Sequence, residues 1–312
     1  MSEIEKNKYD YINTNEIDLI EVFEALLSRK KLIIYATLLF GFLFTIYSLS
    51  LPNIYKSAAL LSPVESQETS SGNLGSLGGL AGLAGINFSA SSNKKHIEAI
   101  ERIKSFDFFT TFFLPSIKLE NLMAVYSWDP KVNLITYDDD IFDDESKKWT
   151  RNASFPRKVI PSNQESYEEF MKIMEIEIDD ETSFVSISIE HKSALVAQNW
   201  IQNIVDEINR SMKEERKSEI NKSIDFLNNE MLKVNFVELK QAIASLQQDQ
   251  MEALMLIESS NDYVFRIIDS PYAPEEHFKP SRINIVVLGV LSGFFLSCLF
   301  VILRYFINSN KT

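Results

Sequence analysis

Two long uncharged apolar runs, one near each end of the chain, dominate the pattern of hydrophobic and polar positions. They cover residues 32–51 and residues 283–303. An apolar run of about 18 residues or more is long enough to cross the hydrocarbon core of a bilayer as a helix. The pattern therefore predicts two transmembrane helices that flank one large domain, with polar tails at residues 1–31 and 304–312.

The charges beside these runs predict which way the chain crosses the membrane. The basic residues Arg29–Lys31 precede the first run, and Arg304 follows the second. Since basic residues next to a span tend to stay in the cytoplasm, we expect both termini there and the domain in the periplasm of a bacterial inner membrane. Lys279 and Arg282, on the domain side, weaken this assignment, but long loops cross largely regardless of charge. The first run is too long for a cleaved signal peptide, so we expect it to remain as an anchor.

Between the two runs, the hydrophobic period changes repeatedly between that of a strand and that of a helix. Alternation and β-rich composition predict strands at residues 53–64, 175–179, 183–190 and 263–269. Helical spacing predicts helices at residues 94–113, at residues 166–174 and, for about 38 residues, after Ser193. The order strand, helix, strand, strand, long helix, strand is that of ferredoxin-like folds. We therefore expect an α+β membrane protein with a ferredoxin-like α/β base at residues 52–193, in which residues 115–161 are irregular and acidic.

A second helix is expected to follow the long one. Asn235 and Glu238 have the spacing of a capping box, which predicts a new helix start. Apolar residues then recur on a heptad, with Gln250 as the polar exception. Residues 194–258 are therefore expected to form a protruding helical hairpin, followed at residues 259–282 by the last strand and a proline-rich approach to the second span.

Residues 66–93 are rich in glycine and serine, with leucines interleaved. This composition is typical of a mobile loop, although the leucines also suit a packing segment at a subunit interface. A phosphate-binding loop would need a lysine directly after the last glycine, and none follows until Lys94.

Charge and residue types argue against several function classes. The net charge of −13 is unsuited to nucleic acid. The single cysteine, Cys298, lies in the second apolar run, and the three histidines have no partners at ligand spacing. The acidic residues 138–145 lack the spacing and the glycine of a calcium loop. We therefore expect no catalytic residue, no cofactor and no metal site, and a protein that is not an enzyme.

Several short segments, taken in order, resemble the Wzz-type chain-length determinants, which are the bacterial polysaccharide copolymerases. The resemblance is carried by Asn15–Leu19 with Arg29–Lys31, by Leu51–Tyr55, by Gly79–Ile86, and by the prolines and glycines around the second span, namely Pro271, Pro274, Pro280, Gly289 and Gly293. One position departs from the family, because Lys279 stands where a serine is usual and Ser281 follows the proline. The resemblance extends over nearly the whole chain.

The resemblance implies a regulator of lipopolysaccharide biosynthesis. Family members form ring-like homo-oligomers in the inner membrane and set how many repeat units a polymerase adds to lipid-linked O-antigen or a related glycan. The implied partners are further copies of this chain and an integral-membrane glycan polymerase; contact with the growing polysaccharide is left open. The expected contact positions are Pro271, Pro274, Pro280, Gly289 and Gly293.

Two other functions compete with this one. The chain could be an adaptor for polysaccharide export or a tyrosine-kinase-linked copolymerase of the same broad group. It could also be a two-span sensor, which would need a separate partner to carry the signal because the predicted tails, residues 1–31 and 304–312, are too short for an output module.

Overall fold

The computed structural model describes residues 19–64, 95–260 and 262–309 of the chain. It divides into two compact units: the helices near both ends form one, which we call the helical unit, and Asn53–Lys279 form the other, which we call the body. The first part of the predicted N-terminal tail, the glycine-rich segment 66–93 and the last three residues lie outside the described residues.

Helices and strands alternate along the body, and long helices flank it in the chain. The helices, in chain order, are α1 Leu19–Ser28, α2 Lys30–Ser50, α3 Lys95–Ile103, α4 Phe106–Phe108, α5 Leu119–Met123, α6 Asn163–Ile173, α7 Ala194–Lys233, α8 Val237–Ser259 and α9 Arg282–Ser309. A π-helical turn at Phe109–Phe113 and a 3-10 turn at Leu114–Ser116 follow α4. The strands are β1 Tyr55–Pro63, β2 Val125–Asp129, β3 Leu134–Tyr137, β4 Phe142–Asp143, β5 Lys148–Trp149, β6 Met174–Ile178, β7 Val185–His191 and β8 Phe265–Asp269.

The helical unit contains two helices that are long and apolar enough to cross a membrane. Helix α2 has 21 residues with a mean hydropathy of 2.1, and the stretch Arg282–Ile307 of α9 has 26 residues with a mean hydropathy of 2.8. Most of their side chains are exposed rather than buried inside the protein. The expectation of a mixed α/β protein with two apolar helices near its ends is thereby confirmed.

The body is built on an antiparallel sheet with the strand order β6-β7-β1-β8. Strand β1 lies in the middle and pairs with β7 from Tyr55 opposite His191 to Leu61 opposite Val185. Strand β7 shows the alternation seen in the sequence, since Val185, Ile187 and Ile189 are fully buried. Each of these β-branched side chains fills the pleated, buried face of the sheet.

The core lies between this sheet and the helices packed against it. The first half of α7 contributes Trp200, Ile201, Ile204 and Ile208, all buried. A group of aromatic rings joins the core from the π-helical turn and α6: Phe113 and Phe170 have ring centroids 4.4 Å apart, and Phe113 also meets Trp200 edge-on. The buried side chains of α7 end at Ile220, and α7 then continues alongside α8.

Three expectations about individual elements were wrong. The predicted helix 94–113 is interrupted, because the Ser105 hydroxyl accepts a hydrogen bond from the Phe108 amide and starts a new helix there. The capping box at Asn235 is absent: α8 begins at Val237 after Phe236, which supplies no side-chain cap. Residues 115–161 are not irregular throughout, since they contain α5 and the hairpins β2–β3 and β4–β5.

Candidate functional site

The five contact positions predicted from the sequence lie in two parts of the structure. The first part is the helical unit. Gly289 and Gly293 of α9 lie against α2 of the same chain. A Cβ atom at Gly289 would lie 2.5 Å from the Cβ of Phe44, and one at Gly293 would lie 2.6 Å from the Cβ of Phe40. Carbon atoms in contact are ordinarily about 3.5–4.0 Å apart, so no side chain fits at either glycine.

The two glycines let the backbones of α2 and α9 approach closely. The clash would involve the Cβ atoms of Phe40 and Phe44, which cannot be moved by rotation of the rings. This is small-xxx-small packing of the kind found between membrane helices. Sequence reasoning assigned these glycines to contacts with other chains, and that role stays a prediction. The signal that could have predicted the contact between α2 and α9 is that Phe40 and Phe44 are four residues apart, as the two glycines are.

The second place is the proline-rich segment that precedes α9. Pro271 is buried in the body, and its carbonyl oxygen accepts a hydrogen bond of 3.0 Å from the Gln198 side chain. The next carbonyl, of Tyr272, accepts one of 2.7 Å from the Ser57 hydroxyl. Helix α7 and strand β1 therefore fix the start of the segment on the body.

The remaining two prolines differ in their surroundings. Pro274 is half-buried and belongs to the body, whereas Pro280 belongs to the helical unit. Both leave the chain one backbone donor short and restrict its φ angle, so they limit the ways in which it can approach α9. Their role in contacts with other chains stays a prediction.

A buried histidine, dismissed as a ligand by sequence reasoning, joins two parts of the body. The His191 Nδ1 accepts a hydrogen bond of 2.9 Å from the Ser193 amide, so the ring proton lies on Nε2, which donates one of 2.8 Å to the Asn121 carbonyl. The ring packs on Trp200, with centroids 5.0 Å apart. Burial lowers the pKa of His191 below its ordinary value, against the opposing effect of its hydrogen bonds with Asn121 and Ser193.

This burial predicts that the body loses stability in mild acid. The unfolded chain takes up the His191 proton below pH about 6.5, whereas the folded chain takes it up only at lower pH. The free energy of unfolding should therefore fall by about 1.4 kcal/mol per pH unit once the pH drops below that value. Urea denaturation between pH 7.5 and pH 5 measures it. The variant His191→Gln should lack this part of the pH dependence and His277→Gln should keep it; equal slopes in all three proteins would contradict the assignment.

The acidic segment that raised the question of calcium forms turns. Asp138 Oδ1 accepts from the Asp140 amide, and Asp143 Oδ1 accepts from the Glu145 amide. Hydrogen bonds, above all from the Ser146 hydroxyl, lower the pKa of Asp143. Within the described residues, no group of three histidine, cysteine, aspartate or glutamate side chains is placed to hold a metal ion.

The family resemblance read from the sequence is confirmed by comparison with known families. Residues 15–112 match the family described as "Chain length determinant protein", Wzz. Residues 237–306 match a second family, GNVR, described as "G-rich domain on putative tyrosine kinase". No curated protein matches the chain.

The solved structures that the chain matches include two copolymerases. A "full-length bacterial polysaccharide co-polymerase" is 14% identical, with 94% of this chain and 99% of that chain covered and a TM-score of 0.42. A fragment of WzzB, a polysaccharide co-polymerase from Salmonella Typhimurium, is 15% identical, with 73% of this chain and 100% of that chain covered and a TM-score of 0.29.

Proposed function

We propose that this protein, which carries the Wzz chain length determinant domain, regulates the length of a lipid-linked polysaccharide, such as O-antigen, at the bacterial inner membrane. The observation that carries the proposal is the match over residues 15–112. That stretch includes the first apolar helix α2, strand β1 and helix α3. The proposal assigns the protein a regulatory and not a catalytic role, with an integral-membrane glycan polymerase as its partner.

The proposal includes a periplasmic body with a ferredoxin-like base and cytoplasmic termini. The sheet order supports the base, because β7 lies between β1 and β6 and pairs antiparallel with both. This is the split arrangement of a β-α-β unit. The basic residues Arg29–Lys31 and Arg304 support the orientation. A protease added to the periplasmic side should digest the body and leave a tag on either terminus intact.

We further propose that copies of this chain assemble with one another. Large apolar side chains are exposed on α7, on α8 and between them, and such surfaces mark interaction sites: Phe226, Leu232, Phe236, Leu239, Leu246 and Met255. Burying them against neighbouring copies would remove this apolar area from water. Mass photometry of the detergent-solubilised chain tests the assembly, and a monomer at all concentrations would contradict it.

A tyrosine-kinase-linked copolymerase, or an adaptor for polysaccharide export, is the second candidate. The match of residues 237–306 to the GNVR family favours it, and those residues form α8, β8 and most of α9. The two candidates differ in the partner that binds the chain. Purification of the tagged full-length chain from membranes should recover a glycan polymerase under the first proposal and a kinase or an export channel under the second.

Loss of the gene tests the first proposal in cells. Without the regulator, surface polysaccharide separated by electrophoresis should change from a preferred length to a skewed ladder in which short chains dominate. A second candidate that acts in export should instead reduce the total amount of polysaccharide at the surface.

A further inference from the structure

The hairpin β2–β3 exposes a set of apolar side chains that the proposed function does not use. Tyr126 is 61% exposed, Val132 is 68% exposed and Leu134 is 60% exposed. The tip also contains Asp129, Pro130, Lys131 and Asn133. Apolar side chains grouped on one hairpin of an acidic protein indicate a surface that meets something other than water.

The tip of this hairpin is held in one conformation. The Trp128 indole donates a hydrogen bond of 2.9 Å to the Asn133 side chain, and the Asp129 carboxylate accepts one of 2.8 Å from the Lys131 amide. Asn133 has a φ angle of 49°, in the left-handed region that asparagine tolerates. The apolar side chains are therefore presented by an ordered turn.

The hairpin lies at the edge of the body through which the chain enters and leaves. The Trp128 ring meets the ring of Tyr55, the first residue of β1, edge-on with centroids 5.2 Å apart. The preceding residue, Ile54, forms an antiparallel bridge with Lys279 near the other end of the body. Both connections to the apolar helices thus leave from one place, next to the hairpin.

These connections are short. Three residues separate Ser50, the end of α2, from Ile54, and two separate Lys279 from Arg282, the start of α9. At about 3.6 Å per residue, a fully extended chain reaches about 14 Å in the first case and about 11 Å in the second. If α2 and α9 cross a membrane, the edge that carries Tyr55 is held near the membrane surface by two short connections.

We propose that the tip of the β2–β3 hairpin inserts into the headgroup region of the lipid bilayer that holds α2 and α9. Val132 and Leu134 would enter the upper acyl region, while Tyr126 and Trp128 would lie at the interface, where tyrosine and tryptophan are enriched. Lys131 would face the lipid phosphates, which attract basic side chains. The hairpin would thereby fix the orientation of the body on the membrane. The inference rests on the membrane location in the proposed function, but not on polysaccharide regulation.

Spin labels on the full-length chain test this directly. Val132→Cys is labelled in a Cys298→Ser background, and the chain is reconstituted in vesicles of phosphatidylethanolamine and phosphatidylglycerol. Asn229→Cys is the control, because Asn229 is an exposed polar position that lies about 53 Å along α7 from its start and is not among the apolar side chains proposed to meet other copies. The measured quantity is the ratio of the label's collision rate with oxygen, which concentrates in lipid, to its rate with a water-soluble nickel complex.

The ratio at position 132 should exceed that at position 229 severalfold in vesicles. Equal ratios at the two positions would place the tip in water and overturn the proposal. Protection of the label at position 132 from both reagents would indicate a protein partner and would also overturn it. The polysaccharide ladder of a strain carrying Val132→Glu/Leu134→Glu separates this inference from the proposed function. If that strain keeps a preferred polysaccharide length and the spin label at position 132 reports water, only the hairpin inference is rejected.

Discussion

Replacing Asn209 by leucine is expected to lower the free energy of unfolding of the body by about 3 kcal/mol. Asn209 is a buried residue of α7, and its Oδ1 accepts hydrogen bonds of 2.8 Å and 2.9 Å from the amides of Val264 and Phe265. Its Nδ2 donates one of 2.9 Å to the Phe265 carbonyl. Leucine has a similar volume, so the loss comes from backbone groups of the β8 region that are left buried without this partner.

The control is Asn229→Leu, on an exposed position of the same helix, which should change stability by less than about 0.5 kcal/mol. Urea denaturation of the detergent-solubilised chain, followed by tryptophan fluorescence, measures both variants. All three tryptophans, Trp128, Trp149 and Trp200, lie in the body, so the signal reports this unit. If the urea midpoint of Asn209→Leu equals that of the wild type, the hydrogen bonds between Asn209 and the β8 region do not stabilise the body.

Replacing Gly289 and Gly293 by leucine is expected to force α2 and α9 apart. The new Cβ atoms would lie 2.5 Å and 2.6 Å from the Cβ atoms of Phe44 and Phe40, and must retreat by about 1 Å to reach ordinary contact distance. Overpacking of this kind costs about 1–3 kcal/mol per site, and here the backbones must move because no rotamer relieves the clash. The helix pair should therefore loosen or separate.

A distance measurement by pulsed EPR detects this change. Labels at Leu38→Cys and Leu296→Cys, both exposed positions, report the separation of the two helices in a Cys298→Ser chain in vesicles. The double substitution should lengthen and broaden the distance distribution. Val287→Leu, which adds one carbon at an exposed position of α9, should leave it unchanged. An unaltered distribution in the double variant would mean that these glycines do not govern the packing of the spans.

The sequence predicts those elements whose signal is local. The two apolar runs are recognisable because each is uncharged over a length that matches a bilayer. Strand β7 is recognisable because Val185, Ile187 and Ile189 alternate with polar residues. Helix α7 follows from apolar residues at helical spacing after Ser193, whose hydroxyl caps its start.

Features that depend on partners distant in sequence were not predicted. The role of Asn209 is set by amides 55 and 56 residues further along the chain, and an asparagine inside a helix gives no hint of them. The β2–β3 hairpin is positioned by the contact of Trp128 with Tyr55, which no local period encodes. For the candidate site, the sequence identified Gly289 and Gly293 as a close-approach pair, but only the fold shows that Phe40 and Phe44 of the same chain occupy the space.

The capping box is a local signal that did not hold. Asn235 and Glu238 have the required spacing, but Phe236 occupies the N-cap position and α8 begins one residue later. Packing of α8 alongside α7, including a contact of 2.6 Å between the Gln247 and Asn228 side chains, accompanies that start.

The most direct test of the central claim is the length distribution of surface polysaccharide in a deletion strain, compared with the same strain expressing the wild-type chain at its natural level. The account predicts a skewed ladder of short chains in the deletion strain and a restored preferred length on complementation, with total polysaccharide nearly unchanged. The same distribution in both strains would contradict the assignment of this protein as a chain-length regulator.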